Sequence, residues 1–228
     1  MRRIVVFTGS GISAESGIKT FRDSGGLWEE YRIEDVATPE AWQRNPVMVL
    51  EFYNQRRRQI LDAKPNAAHE AIAALQTKFD VQIITQNIDD LHERAGSKNV
   101  LHLHGEIRKS RSTLNPNLVY DILGGDLVLG DKCALGSQLR PHIVWFGEQV
   151  PMMEPAITLT ETAAIFLVVG TSLQVYPAAS LVQYAPYDAE LYLVDPNAVS
   201  MPSMPSMTIL AEPASIGVPA LVKKLMAT

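Results

Sequence analysis

The fold of this chain is decided by residues 5–18, which read VVFTGSGISAESGI. The apolar, β-branched start of this stretch predicts a buried parallel strand, and the glycines and small hydroxyl residues that follow predict a tight turn into a helix. Gly9 and Gly11 would let the backbone approach a ligand closely, and the amides at the start of the helix would favour a phosphate or pyrophosphate. A Gly-x-Gly pair also occurs in ordinary tight turns, and the third glycine of the dinucleotide fingerprint is not in its usual place. The stretch indicates a nucleotide site without establishing one.

The composition is that of an ordinary globular protein. The 228 residues, 46% hydrophobic and 20% charged, suit a single α/β unit that carries an insertion. The net charge of -5 argues against general nucleic-acid binding. The N-terminus leads directly into the first strand without the apolar region of a signal peptide, and no apolar run is long enough to span a bilayer. We therefore expect a cytoplasmic protein that acts as a monomer and binds neither nucleic acid nor membranes.

A long loop follows the predicted first helix. Residues 19–28 are too polar and glycine-rich to belong to the core. A loop of this length beside a glycine turn is often a lid, and Phe21 and Arg22 are the side chains that would close over a bound cofactor. A surface loop with one anchored aromatic residue explains the same pattern.

Asn45 and Pro46 predict the start of a helix that runs to about Leu61, because asparagine is a good N-cap and proline suits the first helical position. Tyr53 and Arg56 are three residues apart and so project from the same side of this helix. A phenol and a guanidinium at that spacing would together hold a carboxylate. On residue pattern alone, a solvated basic face is the better explanation of the three arginines at 56–58.

Two further predicted strands end in polar residues. Residues 81–85 predict a buried strand that ends at residues 86–89, QNID, and residues 100–103 predict a short strand that ends at His104. The carboxyl ends of parallel strands form the ligand crevice of an open sheet, so these groups should face the same cleft as the glycine turn. A neutral imidazole in that position is well placed as a general base. Most histidines are structural, and only its polar neighbours single out His104.

In order along the chain, these motifs resemble those of the sirtuins, the NAD-dependent protein deacylases. The matching segments are residues 9–18, 20–22, 86–89, 104–105, 144–148, 170–172 and 175–178, so the resemblance covers nearly the whole chain. Tyr53 and Arg56 fall where class III sirtuins, of bacterial and mitochondrial type, carry a Tyr-x-x-Arg pair that reads the carboxylate of succinyl- or malonyl-lysine. The resemblance therefore favours carboxylate binding by Arg56 over a solvated face.

The resemblance implies an NAD site and an acyl-lysine site that meet at His104. It implies that His104 removes a proton from the ribose hydroxyls, that Asn87 and Asp89 hold the nicotinamide, the ribose and an ordered water, and that the products are free lysine, nicotinamide and O-acyl-ADP-ribose. The residues it assigns to NAD are Gly9, Ser10, Gly11, Ser13, Ala14, Glu15, Thr20, Phe21, Arg22, Trp28, Gln86, Asn87, Ile88, Asp89, His104, Gly170, Thr171, Ser172, Leu193, Val194, Asp195 and Ala214. The residues it assigns to acylated lysine proteins are Tyr53, Arg56, Val144, Phe146, Gly147 and Glu148, with 144–148 as an extended run to which a substrate peptide adds as a strand.

Two single positions depart from the family pattern. Many sirtuins carry asparagine where this chain has Leu193, and its loss leaves Asp195 as the obvious ribose partner. Ser10 stands where alanine is usual, and the added hydroxyl should be tolerated sterically.

A larger departure lies between residues 108 and 136. Sirtuins commonly bind a structural zinc here through two Cys-x-x-Cys pairs, whereas this chain has Ser112 and Asn115 at the first pair and retains only Cys133. We therefore expect no metal ligands and no zinc, and the about 10 kcal/mol or more of folding free energy that zinc can supply needs a replacement. The apolar residues between 114 and 129 predict a small apolar cluster, and residues 117–123 predict a short helix capped by two glycines.

We expect an α/β fold, a Rossmann-like parallel sheet with a smaller module formed by two insertions, in one catalytic domain over residues 1–228. The sheet is expected from about 1–31, 76–105 and 140–228, and the small module from about 32–75 and 106–139. The expected function is NAD-dependent protein-lysine deacylation, chiefly of succinyl- and malonyl-lysine and also of acetyl-lysine. The alternatives are a non-catalytic acyl-lysine or NAD-binding module, a mono-ADP-ribosyltransferase on the same fold and, more distantly, an NAD oxidoreductase.

Overall fold

The computed structural model describes residues 1–18, 31–198 and 206–227. The predicted lid residues Phe21 and Arg22, with Thr20 and Trp28, lie outside the described residues. The strands are β1 (Arg3–Thr8), β2 (Asp80–Thr85), β3 (Val100–His102), β4 (Gly105–Ser112), β5 (Val119–Asp121), β6 (Leu139–Ile143), β7 (Ile165–Val169), β8 (Glu190–Val194) and β9 (Thr208–Leu210). The helices are α1 (Gly11–Ala14), α2 (Ile33–Val36), α3 (Pro39–Arg44), α4 (Pro46–Asp62), α5 (Ala67–Leu75), α6 (Leu91–Arg94), α7 (Met153–Thr160) and α8 (Ala214–Ala227), with a 3₁₀ segment at Ala178–Tyr184.

The larger sheet has six parallel strands in the order β3-β2-β1-β7-β8-β9. Both β1 and β7 are buried over almost their whole length, which is why each is a continuous apolar run rather than an alternating one. The strand order reverses between β1 and β7, so their carboxyl ends flank the crevice in which doubly wound sheets bind ligands. The predicted Rossmann-like parallel sheet is confirmed.

Helices cover both faces of this sheet. Ile72 of α5 and Val218 of α8 join Val6 of β1 in one apolar cluster. Ala156 of α7 and Leu181 of the 3₁₀ segment pack on the opposite face. Helix α5 lies within the predicted first insertion but packs on this sheet, and the boundaries given for the two insertions stay predictions. Among the described helices, none has the length and apolarity that a membrane span requires.

The smaller module combines α2, α3 and α4 with a three-stranded antiparallel sheet in the order β5-β4-β6. A third apolar cluster joins Phe52 of α4 to Ile107 of β4 and to Trp145 just beyond β6. The predicted start of α4 is confirmed, since the Asn45 side chain accepts from the Met48 amide at 3.1 Å and Pro46 is the first helical residue.

The predicted apolar cluster in the second insertion is wrong. Leu123 is 94% exposed and Leu114 69% exposed, and Leu127 is the one predicted member of the cluster that is buried. The predicted helix at 117–123 is also wrong, because residues 119–121 form strand β5 and pair with β4. A hairpin edge this short leaves its side chains in solvent, so the apolar residues here do not build a core.

Hydrogen bonds of buried side chains hold this segment instead. The Ser112 hydroxyl oxygen accepts from the amides of Leu114 and Asn115 at 3.1 and 3.0 Å and lies 2.8 Å from the Ser137 hydroxyl. Cys133 continues the cluster, because its sulfur lies 3.1 Å from the Ser137 hydroxyl and accepts from the Leu135 amide at 3.3 Å. Hydrogen bonding by the side chains of Ser112 and Ser137 lowers the pKa of the Cys133 thiol to about 7. The described residues contain no group of three or more His, Cys, Asp or Glu side chains that would hold a metal ion.

Replacing Ser112 with alanine should lower the free energy of unfolding by about 1–3 kcal/mol, because two backbone amides and the Ser137 hydroxyl would lose their buried partner. For a chain of this length the melting temperature should fall by roughly 2–4 °C per kcal/mol. The matched control is Thr113→Ala, which removes an exposed hydroxyl and should cost less than about 0.5 kcal/mol. Equal losses in the two variants, or stoichiometric zinc in protein purified without a chelator, would contradict this account.

Candidate functional site

The turn between β1 and α1 packs tightly against the end of β7. The Gly9 amide donates to Val169 O at 3.0 Å and the Gly11 amide to Gly170 O at 2.8 Å. A Cβ atom at Gly11 would lie 2.7 Å from Gly170 Cα, and one at Gly9 would lie 2.7 Å from Thr171 Cβ. Glycine is therefore required here by packing between two strand ends, a reason that the sequence does not reveal.

Ser13 lies between the two polar residues that follow β2. The Asn87 side-chain amide donates to the Ser13 hydroxyl at 3.0 Å, and that hydroxyl donates to the Asp89 carboxylate at 3.0 Å. Asp89 also accepts from the Leu91 amide at 3.1 Å. Burial raises the pKa of the Asp89 carboxyl, although these hydrogen bonds oppose the rise. The three side chains form one fixed, buried group at the crevice.

One ring nitrogen of His104 has a main-chain hydrogen-bond partner. Its Nδ1 lies 2.9 Å from Gln86 O, and because a carbonyl only accepts, Nδ1 carries the proton and Nε2 of the neutral ring is the acceptor. Burial lowers the pKa of His104, partly opposed by the bond to Gln86. Its neighbour His102 differs, because its Nε2 lies 2.8 Å from the Glu93 carboxylate. Burial lowers the pKa of His102, but Glu93 and the hydrogen bond to Asn87 O outweigh burial and raise it. Of the two histidines, His104 has the protonation state of a general base.

The acid limb of kcat/KM for deacylation should have its midpoint below pH 6.5, the ordinary histidine value, because burial keeps the His104 base unprotonated to lower pH. The measurement is kcat/KM against pH, with circular dichroism at each pH to separate loss of catalysis from acid unfolding. A midpoint at or above the ordinary value, in folded protein, would contradict the assignment.

Tyr53 is buried and Arg56 is half-buried, so neither lies on a fully solvated surface. Tyr53 is 3% exposed and packs against Phe52 and Trp145, and burial raises its pKa. Burial lowers the pKa of Arg56, while the nearby Asp89 carboxylate and Tyr53 raise it. The guanidinium of Arg56 is thus within electrostatic reach of the Ser13, Asn87 and Asp89 group.

A solvated basic face was one interpretation of the three arginines at 56–58, and it fits only Arg58. Arg58 is exposed and pairs with Asp126 at 2.6 Å and with Glu51 at 3.0 Å. Arg57 is buried and donates to the Asn54 side chain.

The predicted extended run at 144–148 is wrong beyond Val144. The chain turns at Trp145 to Glu148, where the Glu148 amide donates to Trp145 O at 3.0 Å and Gly147 has φ 90. Glu148 bonds to Arg140 at 2.6 Å, to Arg111 at 3.1 Å and to the Trp145 amide at 2.8 Å. Burial raises the pKa of this carboxyl, but these partners outweigh burial and keep it below its usual range. The side chain of Glu148 therefore holds the turn.

The main-chain amides beside this turn are also engaged. The Val144 amide donates to His104 O at 2.9 Å, and the Phe146 amide donates to Ala37 O at 3.0 Å. A peptide that adds here as a strand has neither of these two donors available, and peptide binding by Val144, Phe146 and Gly147 stays a prediction.

Three residues predicted to contact NAD, Leu193, Val194 and Ala214, have buried side chains, and their contacts with NAD stay a prediction. Leu193 and Val194 are consecutive residues of β8, so their side chains point to opposite faces of the sheet and join its two apolar clusters. Ala214 is likewise buried in the first cluster. Both carboxylate oxygens of Glu15 accept from Ser215, the amide at 2.9 Å, so Glu15 caps the start of α8.

The other predicted residues lie around the crevice. Thr171 accepts from the Gln86 side chain at 3.2 Å, and Ile88 O accepts from the Ile107 amide at 2.8 Å. Asp195 follows β8 and accepts from the Asn197 amide at 2.8 Å. Ser10, Ala14, Ser172 and Gly170 border the same strand ends.

The sequence interpretation missed the buried residues beneath the site. Thr8 and Thr85 sit opposite each other at the ends of β1 and β2, and their hydroxyls bond at 2.8 Å. His92 lies 3.1 Å from the Thr8 hydroxyl. One signal in the sequence could have identified these residues. It is the polar residue, Thr8 or Thr85, at the end of each of two adjacent strands.

Comparisons with known proteins agree with this geometry. The Sir2 family profile matches residues 9–177. An NAD-dependent protein deacylase of Bacteroides thetaiotaomicron is 51% identical over an alignment of 231 positions that covers 99% of each chain. A Sir2 homologue in complex with ADP-ribose aligns with a TM-score of 0.89 at 38% identity, over 99% of this chain and 92% of the other. A Sir2 homologue in complex with NAD aligns with a TM-score of 0.87 at 38% identity, over 99% of this chain and 90% of the other.

Proposed function

Because the chain belongs to the Sir2 family and is an NAD-dependent protein deacylase, we propose that it removes succinyl and malonyl groups from protein lysine side chains and also accepts acetyl-lysine. The observation that carries this acyl preference is the Tyr53 and Arg56 pair. Arginine stays charged in proteins, so Arg56 is a half-buried cation within electrostatic reach of the buried Tyr53 phenol. A carboxylate at the end of an acyl chain is the group that such a pair recognises.

Arg56 also links the acyl group to the reaction centre. The Asp89 carboxylate is close enough to raise the pKa of Arg56, and Asp89 belongs to the group formed with Ser13 and Asn87. An acyl chain whose carboxylate reaches Arg56 would have its amide held near this group, and holding reactants in this way lowers the barrier.

The residues present fit NAD. The glycine turn lies at the reversal of strand order, and the Ser13, Asn87 and Asp89 group supplies donors and acceptors beside it. We assign the pyrophosphate to the turn and the nicotinamide ribose to Asn87 and Asp89. NAD, when bound, supplies an electrophilic ribose carbon with nicotinamide as its leaving group, and an acceptor for the acyl group.

His104 completes the proposed arrangement. Its Nδ1 proton is held by Gln86 O, so Nε2 is the atom that takes up a proton from a ribose hydroxyl. The bond also fixes the orientation of the ring, and no protein nucleophile is required.

The experiment is mass spectrometry of every product formed from NAD and one succinyl-lysine peptide. The proposal expects free lysine peptide, nicotinamide and O-succinyl-ADP-ribose in equal amounts. ADP-ribose attached to the peptide or to the enzyme would indicate a mono-ADP-ribosyltransferase instead, and an unchanged peptide would overturn desuccinylation.

A further inference from the structure

A chain of buried polar groups runs beneath the crevice and ends at Asn87. The Thr8 hydroxyl donates to Thr85 Oγ1 at 2.8 Å, and the Asn87 amide donates to the same Thr85 oxygen at 3.0 Å. Nε2 of His92 lies 3.1 Å from the Thr8 hydroxyl. Thr8 and Thr85 are 0% exposed and His92 is 1% exposed, so bulk water does not compete for these bonds.

The directions of these bonds fix the tautomer of His92. The Thr8 hydroxyl gives its only proton to Thr85, so its oxygen accepts from His92 and the His92 proton lies on Nε2. Nδ1 of the neutral ring is then an acceptor, and it has no hydrogen-bond partner among the described residues. Burial lowers the pKa of His92 far below its usual range, which keeps the ring neutral.

A second buried histidine, His69, packs against the ring of His92. Nδ1 of His69 accepts from the Asn66 amide at 3.3 Å, which leaves the proton of the neutral ring on Nε2. This Nε2 is buried and likewise unpaired within the described part of the chain. The two rings meet edge to face with centroids 5.0 Å apart. Burial lowers the pKa of His69 to about 4.

We infer that His92 is a positioning residue for Asn87 and that it acts through a chain of hydrogen bonds by way of Thr8 and Thr85. The inference rests on the proposed role of Asn87 at the nicotinamide ribose. Asn87 is then held at its amide by Thr85, at its side chain by Ser13 and at its carbonyl by His102. Three separate hydrogen bonds suit a residue whose placement must be accurate to a fraction of an ångström.

The kinetic test compares Thr85→Val, which removes the acceptor with little change in shape, and Thr85→Ser, which keeps it. With an acetyl-lysine peptide, the valine variant should lose about 10-fold or more in kcat, because small misplacements of reacting groups cost that much or more. The serine variant should keep kcat within about 2-fold, and the affinity for ADP should stay within about 2-fold in both variants, since ADP lacks the nicotinamide ribose that Asn87 is proposed to hold. Wild-type kcat in the valine variant, or equal losses in both variants, would overturn the inference.

The acetyl substrate separates this test from the proposed acyl preference, because failure of desuccinylation leaves the acetyl readout intact.

A second measurement needs no substitution at Thr85. Two-bond ¹H–¹⁵N correlation spectra of ¹⁵N-histidine-labelled protein, assigned with His69→Gln and His92→Gln, should show both rings neutral with the proton on Nε2. A proton on Nδ1 of His92, or an imidazolium at either position, would overturn the chain.

Discussion

Replacing His104 with tyrosine should abolish deacylation, with kcat at least about 100-fold lower on both acetyl- and succinyl-lysine peptides, because a general base contributes on that order or more. The structure gives the reason, since the ring is oriented by Gln86 O with Nε2 as its acceptor. Tyrosine at that position is protonated at neutral pH and takes up no proton from a ribose hydroxyl. Turnover is measured with each peptide at saturating NAD.

His104→Ala is the companion variant, because it removes the base without adding bulk to the crevice. Both variants should keep ADP-ribose affinity within about 3-fold if the loss is one of chemistry rather than binding. Near wild-type turnover in either variant would remove His104 as the base.

Replacing Arg56 with methionine should lower kcat/KM for a succinyl-lysine peptide by roughly 30-fold or more, while acetyl-lysine turnover changes by less than about 3-fold. The reason is that an enclosed carboxylate without a cationic partner costs about 2 kcal/mol or more. Acetyl-lysine has no carboxylate to leave unpaired. The measurement is the ratio of kcat/KM values for the two acyl forms of one peptide.

Arg58→Met on the same helix is the matched control for loss of a positive charge. Arg58 is exposed and pairs with Asp126 and Glu51, so its variant should leave the succinyl-to-acetyl ratio unchanged. Arg56→Lys should recover only part of the succinyl activity, because an ammonium lacks the planar fork of a guanidinium. Equal losses on both acyl forms in Arg56→Met would contradict a carboxylate-binding role.

The parts of the fold that the sequence predicted are those fixed by local chemistry. Strands β1 and β7 lie in the buried sheet and are therefore apolar runs. The polar ends of β1, β2 and β7 meet at one edge because parallel strands place them there. The start of α4 followed from its asparagine cap and proline.

The errors arose where distant partners decide the structure. Ser112 holds its segment through Ser137, 25 residues away, and Glu148 bends its segment through Arg111, 37 residues away. Neither bond leaves a periodic pattern in the sequence, so residues 117–123 suggested a helix and residues 144–148 suggested a strand. The side chain of Leu193 lies in the core, and its assignment to NAD, made from its position in the family pattern, stays a prediction.

The same limit applies to the residues beneath the site. His92 follows a predicted functional segment, yet its contact with Thr8 joins residues 84 apart. The edge-to-face contact of the His69 and His92 rings likewise depends on the fold and leaves no pattern in the sequence.

The most direct test of the account is the ratio of kcat/KM for one peptide carried in succinyl and acetyl forms, measured with wild-type protein by NAD-dependent lysine release. The buried Tyr53 and the half-buried Arg56 predict greater efficiency on the succinyl form, by roughly 10-fold or more if pairing of its carboxylate with Arg56 contributes over 1.4 kcal/mol. Equal efficiency, or activity on the acetyl form alone, would contradict the carboxylate site while leaving the chain an NAD-dependent deacylase.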